Sequence, residues 1–156
     1  MMNNYKSILL IEDSLFDYEA FVRAFKQFKY QNPIYHCQNE EEFHDFLCCD
    51  GKFSHLVDSP APGLIILDLN LPGTKGITIL EQIRKEPTFS FTPVVILSTS
   101  SNEKDVIECY QKGANSYVEK SLDMQEFYEI LRTIRDYWLK VNILPLSAQK
   151  KAMSYI

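Results

Sequence analysis

The stretch Leu64-Ile65-Ile66-Leu67-Asp68-Leu69-Asn70-Leu71-Pro72-Gly73 reads as a short buried strand that delivers one carboxylate, Asp68, into a turn. Four apolar residues in a row suit a strand covered on both faces, and Asn, Pro and Gly mark the reversal after it. Three other apolar runs end in the same manner. Ile8 to Ile11 ends on Glu12-Asp13, Val94 to Leu97 on Ser98, and Tyr117-Val118 leads to Lys120. In an open parallel sheet the carboxyl ends of the strands lie along one edge, and ligands bind outside that edge where the strand order reverses. Four strands therefore aim acids, a hydroxyl and an ammonium at one place, a setting for a small anionic or metal-bound group.

Outward from that stretch, strand and helix patterns alternate five times. Ser7 to Ile11 is a strand, and Ser14 caps a helix carrying Phe16, Ala20, Ala24, Phe25 and Phe28 at helical spacing. The aromatic stripe Phe16, Phe25 and Phe28 is expected in the core. Pro33 precedes a weaker strand, Ile34 to Cys37, and Glu40 to Cys49 is a helix with Phe43, Phe46 and Leu47 inward. Its acidic run Glu40-Glu41-Glu42 reads as a solvated helix start that suits the dipole. Residues 50 to 63 form a loop, and a helix near Thr74 to Lys85 turns Ile77, Leu80 and Ile83 to one side. Ser100 and Glu103 match a capping box for a helix carrying Val106, Ile107 and Tyr110, with Gly113 at its end. After a strand Ser116 to Val118, Asp123 and Glu126 open a last helix with Phe127, Ile130, Leu131, Ile134 and Trp138 on its apolar stripe. This alternation predicts an α/β fold: a doubly wound five-stranded parallel sheet, order 2-1-3-4-5, with right-handed crossovers. In that order the first and third strands are neighbours, so Asp13 and Asp68 should meet.

Composition narrows the function. A chain of 156 residues is one domain of common size, and 46% hydrophobic with 24% charged residues describes a globular protein. A net charge of −5 argues against nucleic-acid binding. No apolar run reaches the roughly 18 residues of a membrane span, and Met1 to Lys6 shows no signal-peptide pattern, so a cytoplasmic setting is expected. His36, Cys37, His44, Cys48, Cys49 and His55 have donor atoms for zinc but no recognised ligand spacing. Ordinary buried or half-buried thiols are the better reading.

Carboxylates gathered in one cleft repel one another, by about 4 kcal/mol per pair at 4 Å in an effective dielectric near 20. A hard divalent cation removes that penalty, and Mg²⁺ takes one or two carboxylates, waters and a phosphate oxygen. Asp68 can then act as a nucleophile towards a phosphoryl group, with Lys120 and the Ser98 hydroxyl on its oxygens and the Asn70 carbonyl as a further metal ligand.

Four segments carry a family resemblance: Leu9-Leu10-Ile11-Glu12-Asp13, Leu67-Asp68-Leu69-Asn70-Leu71-Pro72, Val95-Ile96-Leu97-Ser98, and Gly113-Ala114-Asn115-Ser116-Tyr117-Val118-Glu119-Lys120. Together and in this order they resemble the receiver domains of two-component response regulators, with their flavodoxin-like fold, over about residues 5 to 140. The resemblance implies that Asp68 accepts a phosphoryl group from the phosphohistidine of a sensor histidine kinase. It further implies that Glu12, Asp13, Asp68 and Asn70 hold Mg²⁺ or Mn²⁺, and that Ser98 and Tyr117 form a switch pair beside Lys120. The chain departs from the family at Ser121, where many receivers have proline.

A finer resemblance points to stand-alone regulators paired with bacterial phytochromes. It rests on the proline-containing loop before the third strand, the Lys120-Ser121 pair, and the tail Tyr137-Trp138-Leu139 followed by Leu144-Pro145. It implies a receiver at 5–140, an extension at 141–156 without an output domain, a phytochrome as kinase partner, and a homodimer through the last two helices and strand. Val141, Ile143, Leu144 and Leu146 of the tail would pack on the same or a second protomer.

Each residue also has a plainer role: Asp13 as a helix cap, Asp68 as a turn former, Ser98 as a core hydroxyl, Lys120 as a solvated charge, Tyr117 as an edge-strand residue. Those roles must hold independently, whereas one phosphoryl site explains all the positions together. Three rival functions are weaker. A haloacid-dehalogenase-type phosphohydrolase would need a second Asp where Asn70 stands, and a flavodoxin-like cofactor binder would need small and hydroxyl residues in place of Glu12-Asp13-Ser14. A phosphorylation-independent pseudo-receiver would have no use for the intact site. The expected protein is a phospho-switch that acts on its own side chain, and not an enzyme in the usual sense.

Overall fold

The computed structural model describes residues 6–145. The five strands β1 (Ile8–Ile11), β2 (Ile34–Cys37), β3 (Leu64–Leu67), β4 (Val94–Ser98) and β5 (Ser116–Glu119) form one parallel sheet in the expected order β2-β1-β3-β4-β5. Side chains alternate across it, because successive Cβ atoms of a strand point to opposite faces. Ile8, Leu10, Leu64, Ile66, Val95 and Leu97 pack under α1 (Leu15–Gln27) and α5 (Met124–Arg135). Leu9, Ile11, Ile65, Leu67, Val94 and Ile96 pack under α2 (Glu40–Cys48), α3 (Gly76–Lys85) and α4 (Glu103–Gln111). The three central strands are covered on both sides, which is why their sequences read as unbroken apolar runs.

Ser14 and Asp123 cap α1 and α5 as their sequences predict. Elsewhere the packing corrects the sequence reading. Phe16 is 69% exposed and lies outside the core, whose stripe on α1 runs through Ala20, Phe21, Ala24 and Phe25. On α4 the inward stripe runs through Asp105, Val106 and the buried Cys109, leaving Ile107 and Tyr110 in solvent. That helix is capped by Asn102, whose Oδ1 accepts from the Lys104 N–H at 2.9 Å, while the Ser100 hydroxyl donates to Asp105 at 2.7 Å. The acidic start of α2 is engaged: Glu40 accepts from Thr74 Oγ1 and Gln82 Nε2, and Glu42 from the Gln38 N–H and Lys52. The 50–63 segment contains a 3₁₀ turn, Gly51–Leu56, that buries Phe53 and Leu56. The last helix runs on as a π-helical turn, Asp136–Val141, with Leu139 buried and its carbonyl accepting from Lys6 Nζ at 2.7 Å. Leu146 lies outside the described residues.

The largest correction sits after β3. The helix starts at Gly76, not Thr74, because Asn70–Leu71 pairs antiparallel with Thr74–Lys75 around the turn at Pro72-Gly73. Gly73 closes that turn at φ 72°. The N-terminus of α3 then meets the backbone at Asp68. A Cβ at Gly76 would stand 2.4 Å from the Asp68 carbonyl oxygen and 2.6 Å from Leu69 Cα. Only hydrogen fits there, so Gly76 sets how closely α3 presses on Asp68. We predict that Gly76→Ala costs about 1–3 kcal/mol in urea denaturation, the usual range for overpacking, and displaces Asp68; a midpoint equal to the native one would contradict the close approach.

Candidate functional site

Strand register builds the site. Ile11 lies beside Leu67, so Glu12 and Asp68 leave the sheet side by side. Each is tied to its neighbour strand: the Asp68 N–H donates to the Ile11 carbonyl and the Glu12 N–H to the Cys37 carbonyl, both at 3.0 Å. Glu12 is 3% and Asp68 6% exposed, while Asp13 faces solvent. Ligand oxygens of Glu12, Asp13 and Asp68 lie within 4.8 Å of one another, and this is the one such group of potential metal ligands among the described residues. His36, Cys37, His44, Cys48, Cys49 and His55 form no comparable cluster among the described residues, and none of the four cysteines is in a disulfide. The Asn70 N–H donates to Asp68 Oδ1 at 3.1 Å, and Asn70 shares an open depression with Asp13.

Lys120 closes the site from β5. Its backbone N–H donates to the Ser98 carbonyl at 2.7 Å, which places the side chain beneath the acids. The ammonium then lies 2.6 Å from Glu12 Oε2, 2.9 Å from Asp17 Oδ2 and 3.2 Å from Asp68 Oδ2. Burial works against its charge, but Asp68 and Glu12 hold it above the usual lysine range. Burial and the repulsion of Asp68 push Glu12 up from 4.5 to about 7, against the pull of Lys120. One ammonium thus serves several carboxylates, and negative charge is left over. The surplus charge and the hard oxygen donors fit a divalent cation at Glu12, Asp13 and Asp68.

Ser98 is fully buried, and its Oγ accepts from the Ser100 N–H at 3.2 Å. Tyr117 stands one step further out, half-buried, with its hydroxyl donating to the Ser100 carbonyl at 2.7 Å. Ser98 and Tyr117 are thus joined through Ser100. Sequence reasoning missed Asp17. Three residues after the Ser14 cap it looks like an ordinary first-turn acid, and its own N–H does donate to Ser14 Oγ. It also missed the support under Glu12, whose carbonyl meets His36 Nε2 at 2.7 Å while that ring stacks on Tyr18 at 3.9 Å.

A doubly wound sheet with buried acids and a lysine at its switch point is the arrangement of a phosphoacceptor signalling domain. The chain belongs to the response regulator receiver domain family, whose model matches residues 8–132. It is 34% identical over 143 residues to response regulator Rcp1 of Synechocystis, covering 92% of this chain and 95% of that protein. It is 29% identical over 138 residues to the probable methanogenesis regulatory protein FilR2 of Methanothrix harundinacea, covering 88% and 86%. Among solved structures, the Mn²⁺-bound form of Rcp1 matches with a TM-score of 0.79 at 34% identity, covering 90% and 99% of the two chains. The phosphorylated cyanobacterial phytochrome response regulator RcpA matches with a TM-score of 0.81 at 32% identity and the same coverage. The chain is therefore a response regulator receiver similar to phytochrome response regulators. No helix among the described residues is long and apolar enough to cross a membrane.

The raised Glu12 sets a pH dependence. Between 4.5 and about 7 the folded protein holds a proton that the unfolded chain releases. Its contribution to stability is full below 4.5 and is lost as pH rises through about 7. Relative to Glu12→Gln, the metal-free protein should lose on the order of 3 kcal/mol across that window. Mg²⁺ affinity should rise over the same window, since the cation displaces the proton. Denaturant titrations and calorimetry at pH 5.5 and 8 would read both, and identical trends in the two proteins would refute the assignment.

Proposed function

We propose that Asp68 accepts a phosphoryl group from the phosphohistidine of a sensor histidine kinase and that the phosphorylated protein switches its protein contacts. The observation that carries this reading is the buried Asp68 carboxylate clustered within 4.8 Å of ligand oxygens of Glu12 and Asp13 and lying 3.2 Å from the Lys120 ammonium. An Asp68 oxygen forms the new P–O bond, the P–N bond to the donor imidazole breaks, and its electron pair stays on the ring nitrogen. A divalent cation, Mg²⁺ or Mn²⁺, held by Glu12, Asp13, Asp68 and the Asn70 carbonyl supplies charge neutralisation when bound. Lys120 holds a phosphoryl oxygen, the Ser98 hydroxyl donates to another, and Tyr117 follows Ser98 through Ser100. The protein then acts on its own side chain and is not an enzyme in the usual sense; at most it hydrolyses its own acyl phosphate.

The kinase partner is a phytochrome in this reading, supported by the likeness to RcpA and to a bacteriophytochrome response regulator at 30% identity and TM-score 0.69. Exposed Leu15 and Phe16 lie beside Asp17 on the first turn of α1, and exposed Leu122 and Met124 follow Lys120 at the start of α5; a kinase needs such apolar ground beside the phosphoacceptor. Residues 5–140 act as the receiver, 141–156 as an extension, and the setting is cytoplasmic. A homodimer through α4, β5 and α5 would cover the exposed Ile107, Tyr110 and Tyr137.

Intact-protein mass after incubation with acetyl phosphate and Mg²⁺ tests the chemistry. The native protein should gain one phosphoryl group and Asp68→Asn none; Lys120→Ala should fold but switch poorly. Phe16→Glu should keep uptake from acetyl phosphate and lose it from a kinase. No uptake from acetyl phosphate or from competent kinases would remove the reading. For the dimer, Ile107→Glu should sediment as a monomer where the native chain sediments as a dimer, and a native monomer, phosphorylated or not, would exclude it.

A further inference from the structure

Asp17 belongs to none of the segments that carry the receiver motifs, yet its carboxylate lies 2.9 Å from the Lys120 ammonium. We propose that Asp17 is a positioning residue for phosphotransfer: it restrains Lys120 on the α1 side and competes with the phosphoryl oxygens for the ammonium. The inference rests on Asp68 being the phosphoacceptor. Three carboxylates hold Lys120, and they are not equivalent. The side chains of Glu12 and Asp68 are 4% and 7% exposed, that of Asp17 31%. A buried carboxylate stripped of its cation is left uncompensated at a cost of several kcal/mol, whereas a half-exposed one is rehydrated. Lys120 therefore leaves Asp17 more readily than Glu12 or Asp68 when a phosphoryl oxygen arrives.

The surroundings support this. The Asp17 N–H donates to Ser14 Oγ, which fixes the backbone of the first turn of α1 from which the carboxylate reaches the lysine. A small cavity of about 60 Å³ lies against the pair, bounded by Phe16, Thr99, Leu122 and Met124. That space gives the ammonium room to shift. An anionic phosphoryl donor also meets the negative charge of Asp17 at the rim. Asp17 thus lowers the affinity of the site for donors before any bond is made, and its neighbour Phe16 places it at the edge of an exposed apolar surface.

The test compares native protein, Asp17→Asn, Asp17→Glu and Asp68→Asn. In Asp17→Asn, half-saturation for acetyl phosphate should fall roughly two- to fivefold, the range a half-exposed charge supports, with the effect on half-saturation rather than on the limiting rate. Added salt should shrink the difference, and Asp17→Glu should restore the native value. In metal-free protein, Lys120 of Asp17→Asn should react faster with limiting acetic anhydride, mapped by mass spectrometry. Unchanged half-saturation and unchanged Lys120 reactivity in a folded Asp17→Asn would overturn the proposal, as would a loss of thermal stability with native Lys120 reactivity. Absence of uptake in every variant and in the native protein would instead sink the Asp68 assignment, and the Lys120 reactivity would still decide the role of Asp17.

Discussion

The ammonium of Lys120 among Glu12, Asp17 and Asp68 is the interaction on which the rest of the site depends. Two of these carboxylates and the lysine are nearly excluded from water, and burying such charges without a partner costs several kcal/mol each. The sheet register meets that cost by geometry. Ile11 aligned with Leu67 sets Glu12 beside Asp68, and the hydrogen bond from the Lys120 N–H to the Ser98 carbonyl brings the lysine under both. One positive charge does not balance the acids, and Glu12 responds by holding its proton up to about pH 7. The remaining negative charge is what makes the site receptive to a cation, and the cation in turn makes it receptive to an anion.

Around this charge pair the chain spends its irregular backbone. The segment after β3 folds back in a two-residue ladder and brings Gly76 against the Asp68 carbonyl, so Asp68 is held from behind by a helix start that tolerates no side chain. On the other flank, Ser100 gathers the Ser98 hydroxyl, the Tyr117 hydroxyl and Asp105 of α4 through separate hydrogen bonds. A change at Ser98 therefore has a short physical route to α4 and β5. Among the exposed apolar residues, Leu15, Phe16, Leu122 and Met124 lie next to the site, while Ile107, Tyr110 and Tyr137 lie on α4 and the end of the last helix. These two exposed apolar surfaces lie on different elements of one small domain.

Much of this was legible beforehand, for identifiable reasons. The buried parallel strands announce themselves as apolar runs, and the first polar residue after each run must emerge at the carboxyl edge, which is how Asp68, Asp13, Ser98 and Lys120 were found. Ser14 and Asp123 were legible as caps because capping is local. Phe16 was misplaced because helical spacing gives the period of a stripe but not its phase. The phase is set by the sheet beneath, and it turns Phe21 inward instead. Gly76 passed unnoticed because a close approach between a helix start and a strand end leaves no trace in composition.

The sequence by itself determined the order of elements, the strand order, the family and the chemical kind of each group at the sheet edge, because those follow from local pattern and from the topology of parallel strands. Only the tertiary structure decided how the groups share charge. It assigned Lys120 to three carboxylates rather than to solvent and recruited Asp17, and it linked Ser98 to Tyr117 through the backbone of Ser100. Distances of about 3 Å between residues far apart in the chain depend on helix phase, strand register and burial together, and no single stretch of sequence carries all three.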